Sequence, residues 1–305
     1  MKRGRATGIT ARKSIWPYIA HGTPGGQCFP GVSLEWAGPD DLKYGIYRLL
    51  NRMAAQGEEC GGIQALLLFP AEAEETELRG MMQALSAECG KAGVSLRNAE
   101  AIVQSAVCRP SAVLMGQGRG KTGKSCPQAG MQLLQIGPAA CEGTLRLLEK
   151  HRAALEKRFC PEFLEGAAAM ASCLDLRGAA AWLREQGIPG MYAVSEGGIF
   201  AGLWEAAESW KLGFEADLKR ILIRQDTVEI CEFLGKNPYC LAGNGCILAC
   251  AEAGETLAEG LRERGYPAAV IGTFQKDKAR ILRSGEERRY LDLPAEDEIY
   301  QEEER

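Results

Sequence analysis

Leu42, Ile46, Leu49, Leu50 and Met53 return at the spacing of one helical face, and Gly57 ends the run. IQALLLFP after it is short and continuously apolar, which predicts a buried strand. AEAEETELRGMMQALSAECGKAG predicts a helix with acids in its first turn and a lysine near its end, the order that the helix dipole favours. SAVLMGQG and MQLLQIG predict strands on either side of the basic loop RGKTGKSCPQAG. A long helical stretch runs from Glu142 to about Met170, with a break at Pro161. The pattern then predicts a helix over 176–187, a strand over 190–194, a helix over 199–210 and strands in LGFEADLKRILIR. DTVEICEFLG predicts a helix with Asp226 as N-cap, CILACAE a strand, and GETLAEGLRERG a helix closed by Gly265. AAVIGTF, ARILRS and RRYLDL predict strands, and the acidic end EDEIYQEEER a frayed tail. Residues 1–30, rich in Gly and Pro, predict no regular element.

Composition narrows the class. The chain has 305 residues, enough for one large domain or two ordinary ones, and a net charge of -4, which argues against nucleic acid as a partner. No apolar run reaches the roughly 18 residues of a membrane span, and the basic start lacks the apolar centre of a secretory signal. A cytoplasmic protein with no membrane partner is expected. The twelve cysteines contain no CxxC pair, so they read as reduced and mostly buried thiols; Cys246 and Cys250 read as core rather than metal ligands. Two histidines, His21 and His151, supply little for a Ser/His/Asp or multi-histidine mechanism.

Two motifs suggest phosphate. GRGKTGKS, residues 118–125, fits the Walker A pattern and follows a strand, which would make the chain a P-loop NTPase. Its continuation opposes this reading: Pro127 and Gly130 stand where a long helix must begin, and a basic surface loop fits better. In MYAVSEGGIF, a strand is followed by Glu196, Gly197 and Gly198 and then an amphipathic run, an arrangement that aims backbone N–H groups at an anion.

The stretch from Gly190 to Gly254 resembles the C-terminal domain of the aminoimidazole ribonucleotide (AIR) synthetase superfamily, which includes PurM, HypE, thiamine monophosphate kinase and selenophosphate synthetase. Tyr192 to Gly198 fall on the family's H-D-x-[TS]-E-G-G motif, and Arg224, Pro238, Gly243 and Gly245 match later features. Upstream, Glu142, Gly143 and Thr144 match its E-G-T helix. The resemblance covers roughly 130–295 and is nearest to HypE-like, AIR synthase-related members. It implies an α+β, two-domain PurM-like architecture. Residues 1–136 would form a shortened ATP-binding-type N-terminal domain that builds a dimer barrel, and 137–305 a mixed α/β sandwich. It also implies a homodimer, with a partner protein as a further candidate.

The departures carry the functional expectation. Asn51 matches the family's N-D pair, but Arg52 replaces the aspartate; of the G-G-x-T-E motif only Glu100 is kept; Tyr192 and Ala193 replace His and Asp. Mg²⁺ needs hard oxygen ligands to bridge a triphosphate, and no metal ligand set can be assigned from the family's motifs. HypE proper ends in a reactive cysteine where this chain reads EIYQEEER. The leading expectation is a degraded, non-catalytic homodimer with a residual anion or nucleotide pocket between the domains. Asn51, Arg52, Glu100, Glu196, Gly197 and Gly198 would line it, with ATP and Mg²⁺ bound weakly if at all. The alternative is an active ATP-dependent synthetase or kinase whose metal site is rebuilt from Asp40, Asp41 and Glu100. Asp40 and Asp41 also read as the start signal of the helix after them.

Overall fold

The computed structural model describes residues 32–120 and 126–301. Two sheets organise it. The first is four-stranded, in the order β1 (Val32–Ala37), β4 (Ser111–Gly120), β2 (Glu58–Phe69), β3 (Leu96–Val103). The helices α1 (Leu42–Ala55) and α2 (Glu75–Lys91) cover one of its faces and bury Leu49, Met53, Leu67, Leu85 and Leu114 between the layers. Strand alternation turns the other face outward. There Val32, Leu34 and Trp36 are 59%, 54% and 51% exposed, beside Met115, Val113 and Leu66 of the paired strands.

The second sheet has seven strands. Its order is β11 (Glu287–Tyr290), β10 (Arg280–Ser284), β7 (Gly213–Asp217), β9 (Ala268–Gln275), β5 (Gln132–Ile136), β8 (Ile247–Ala251), β6 (Gly190–Ala193). One side carries α7 (Gly198–Trp210), and the other α6 (Arg177–Glu185) and α9 (Gly254–Glu263). Strand β8, all five residues buried, reads as the uninterrupted apolar run that a strand covered on both faces should have. A third layer, α3 (Cys141–Lys150), α4 (Arg152–Leu155), α5 (Pro161–Ala168) and α8 (Gln225–Phe233), forms its own apolar cluster around Leu147, Leu164 and Ile230. The two sheets with their helical layers are the α+β architecture that the resemblance implies.

Several local expectations change. Residues 32–37, unassigned from the pattern, form β1 and pair along β4. Strand β5, which precedes the expected boundary at 136/137, pairs on both sides within the second sheet. KRILIR is not a strand: a single 3₁₀ turn, Leu218–Arg220, follows β7. Asp226 is not the N-cap of α8. Arg224 holds that position, and Asp226, inside the first turn, accepts its guanidinium hydrogen bonds. Gly118 to Gly120 continue β4 opposite Cys60 to Glu58, so the first three residues of GRGKTGKS are strand; residues 121–125 lie outside the described region.

Candidate functional site

The turn at Glu196–Gly198 joins β6 to α7. Gly197 and Gly198 both have left-handed backbones, with φ of 76° and 66°. A Cβ on Gly198 would stand 2.6 Å from the Tyr239 carbonyl oxygen and 2.7 Å from that of Leu241, so conformation and space both require glycine here. The helix therefore starts with its N–H groups close against the loop 239–243.

The first of those donors is already engaged. Gly197 N–H donates to Asp297 Oδ2 at 2.6 Å, and Ala242 N–H to Asp297 Oδ1 at 3.2 Å. Ile299 N–H donates to the same Oδ1 at 2.9 Å. Asp297 is only 4% exposed. Burial pushes its carboxyl up to about 6, opposed by the N–H groups of Ile299 and Gly197 and reinforced by the charges of Glu142 and Glu196. Tyr300 donates its hydroxyl to Glu196 Oε1 at 3.2 Å and stacks under the Arg146 guanidinium. Burial, then Glu196, pushes that phenol up to about 12. The frayed acidic tail expected from EDEIYQEEER is thus corrected through residue 301. Asp297 satisfies backbone donors, and Ile299 packs against the third-layer cluster around Leu147 and Ile230.

A second charged centre lies between the two halves. Arg48, on the buried side of α1, is 3% exposed. Its guanidinium reaches Glu142 at 2.5 Å, Glu35 at 3.1 Å, Asp41 at 3.4 Å and the Trp36 carbonyl at 3.0 Å. Arg146 adds contacts of 3.2 Å to Glu142 and 3.7 Å to Asp41. Burial works against the charge on Arg48, but Glu142, Glu35 and Asp41 outweigh it and raise its pKa. Burial raises the pKa of Glu142, with Arg48 and Arg146 opposing. Glu142 sits in the first turn of α3, which starts from Ala140 in a left-handed conformation (φ 57°). A non-glycine residue held there costs about 1 kcal/mol. The surrounding packing imposes that start and so fixes Glu142 against Arg48.

One loop wires the two centres together. Ala242 N–H holds Asp297, while the Ala242 carbonyl accepts from Gly143 N–H at 2.8 Å. The Asn244 carbonyl accepts from Glu142 N–H at 3.2 Å, and the Asn244 side-chain oxygen from Asn51 Nδ2 at 2.9 Å.

The sequence-selected residues divide accordingly. Glu196, Gly197 and Gly198 lie at the turn. Asn51 is buried and structural: it also donates to the Leu174 carbonyl at 2.7 Å and accepts from Leu176 N–H at 3.0 Å, joining α1 to the second half. Arg52 does not reach the turn; it binds the Leu34 carbonyl at 2.8 Å and Glu35 at 2.5 Å on β1. Glu100 lies on β3, beside Leu66 on the open face of the first sheet, and does not join the site. Asp41 sits before α1 as a start residue should, but its carboxylate accepts from Gly38 N–H and faces Arg48. Sequence reasoning missed Arg48, Arg146, Asn244, Asp297 and Tyr300, and took Glu142 only as part of a motif. One signal was present: Asp41, Tyr44, Arg48 and Asn51 form a polar stripe at helical spacing beside the apolar one, and all four are buried.

The oxygen donors suited to a hard cation are Glu35, Asp41 and Glu142, and the Arg48 guanidinium stands among them. Among the described residues no group of three His, Cys, Asp or Glu is arranged to hold a metal ion.

A family model, AIR synthase related protein, C-terminal domain, matches residues 128–283, just over half of the chain. The chain belongs to the AIR synthase-related family. A curated relative, carbamoyl dehydratase HypE of Azotobacter vinelandii, is 33% identical over 93 residues, which are 29% of this chain and 27% of that protein. The match thus spans about a quarter of that relative's length. Among solved structures, E. coli HypE, a hydrogenase maturation protein, superposes with a TM-score of 0.72 at 21% identity, covering 88% of this chain and 87% of that one. A hydrogenase maturation protein HypE in complex with ATP superposes with a TM-score of 0.66 at 14% identity, over 98% and 97%. At these identities the structural likeness is one of fold. No described helix of this AIR synthase-related chain is long and apolar enough to cross a membrane.

Proposed function

We propose that this HypE-like protein is a non-catalytic homodimer that binds a small anion at the Gly197 turn instead of turning over Mg·ATP. The observation that carries the reading is Arg48. A guanidinium enclosed by Glu35, Asp41 and Glu142 neutralises the three carboxylates of this centre that could otherwise serve a magnesium ion. The two N–H groups that would meet an anion are those that hold the Asp297 carboxylate, and they act against burial and the charges of Glu142 and Glu196. Arg146, one helical turn beyond Glu142, supplies positive charge at its rim. The open face of the first sheet, with Trp36, Leu34 and Val32 exposed, is the surface that a second copy would cover.

Calorimetric titration with ATP, with and without Mg²⁺, tests the reading. Mg·ATP should bind no tighter than about 10 μM, roughly 7 kcal/mol, with no hydrolysis, while inorganic phosphate should bind weakly without needing metal. Sub-micromolar, magnesium-dependent ATP binding would overturn it in favour of an enzyme with a rebuilt metal site. Light scattering that gave a monomer at micromolar concentration would remove the dimer.

A further inference from the structure

The helix face of the first sheet is not fully covered. Phe69 and Val103 pair across β2 and β3, so both side chains point to the helix side, in line with Ala65 and Leu67. Phe69 is 1% exposed, but Val103 stays 50% exposed. Helix α2 begins only at Glu75 and leaves a groove of about 270 Å³ over this end of the sheet. Phe69, Val103, Ala73 and Leu78 form its apolar floor, and Glu74 and Glu75 its rim. A valine on the core side that stays half-exposed leaves apolar area still to be buried.

The rim carries one sign of charge. Glu72, Glu74, Glu75 and Glu77 are all exposed. Among the described residues they make one ion pair, Glu75 with Arg79 at 2.6 Å. Glu74 and Glu77 close a capping box at the start of α2, with Glu74 N–H donating to Glu77 at 2.9 Å, so the rim is held in place. Acids at a helix start suit the dipole without any ligand; the uncovered apolar floor between them is the separate feature.

The sequence before the described region carries the complement. In ARKSIW, residues 11–16, Arg12 and Lys13 stand beside Ile15 and Trp16, positive charge next to apolar bulk. The reach is sufficient. Val32 and Phe69 lie at opposite ends of strands two places apart, about 25 Å by strand rise and spacing. Residues 17–31, fully extended, span about 50 Å.

We propose that residues 12–16 of this chain dock in the groove, with Trp16 on Phe69 and Val103, and Arg12 and Lys13 on the acidic rim. The site lies on the opposite side of the sheet from the open face, so it is independent of the dimer and of the anion reading.

The test is carbodiimide cross-linking of the full-length protein, which joins a lysine amine to a carboxylate in contact with it, mapped by mass spectrometry. Lys13 should link to the acids of 72–77. Trp16→Ala should lower the yield of that link at least about tenfold, and Val103→Glu, which charges the floor, should do the same from the other side. Trp16→Ala should also speed amide exchange over Ala73–Leu78. Links from Lys13 scattered over acids elsewhere in the chain, or a link to 72–77 that neither substitution weakens, would overturn the proposal. In a mixture of isotope-labelled and unlabelled protein, a link found only between the two would overturn docking within one chain and assign the groove to a second copy's segment.

Discussion

Around Arg48, three carboxylates enclose a cation; at the Gly197 turn, backbone N–H groups enclose a carboxylate. The two centres share the loop 242–244, yet they are built in opposite ways. Arg48 is anchored on a helix that both halves bury, and removing it would leave the interior Glu142 with Arg146 alone. Asp297 is delivered by an exposed segment, residues 292–296, and is held by the N–H groups of Gly197, Ala242 and Ile299. A charge built into a helix is fixed by the core around it, while one carried on an exposed segment is fixed mainly by its own hydrogen bonds.

The sharpest way to break this contrast is Arg48→Met. It leaves Glu142 and Asp41 with only the longer ion pairs of Arg146, and Glu35 with Arg52, and should cost about 3–5 kcal/mol in urea unfolding. Arg48→Met combined with Glu142→Gln should recover part of that loss. A cost below about 1 kcal/mol would mean that the cluster is incidental to stability.

Asp297 should respond to pH with a defined sign. Its carboxyl rises from 3.8 to about 6 on docking, so the docked state holds its proton more tightly than the free tail does. Docking is then strongest below about pH 4, weakens as pH rises through about 6, and is level above it, a change of up to about 3 kcal/mol. The charges that act on it are Glu142 of α3 and Glu196 before α7; Arg146 and Arg48 act on the neighbouring Tyr300, and Glu298 and Arg289 on the neighbouring Cys240. Amide exchange at Gly197 and Ile299, corrected for intrinsic rate, should show protection rising on acidification. Protection that falls between pH 7 and pH 5 would reverse the assignment.

Arg52→Gln should be milder, about 1 kcal/mol, because Arg52 is partly exposed and joins only Glu35 and the Leu34 carbonyl. Phosphate affinity should not change; a loss would return Arg52 to the pocket. Smallest of all, Lys124→Ala should leave ATP affinity within about twofold. A loss of about tenfold, 1.4 kcal/mol, would revive the Walker reading.

Much of the architecture was legible because burial writes itself into periodicity. The stripe of α1, the continuous run of β8 and the glycine pair before α7 each follow from one local rule. The centre at Arg48 was not, since its partners come from β1, the turn before α1 and α3, and no local pattern joins Glu35 to Glu142. Arg52 was chosen by motif register, but it lies one position off the polar stripe and faces β1. The tail was misjudged for a related reason. Its acidic composition predicts solvation, and a single aspartate with complementary donors in a distant loop reverses that outcome.

Asn51 has a mechanical consequence. Helix α1 packs the first sheet on one side, and from the other this amide grips Leu174, Leu176 and Asn244 of the second half. Arg184 adds a bond to the Ala54 carbonyl at 2.8 Å. A helix clamped from both sides leaves the halves no free joint on which to swing. Opening them would break several buried hydrogen bonds at once, whereas lifting the final described residues breaks the bonds of Asp297, Glu298 and Tyr300, the Lys236 contact to the Gln301 carbonyl and the packing of Ile299. Amide exchange should therefore report separation of the halves only through global unfolding, while the final described residues exchange by local opening.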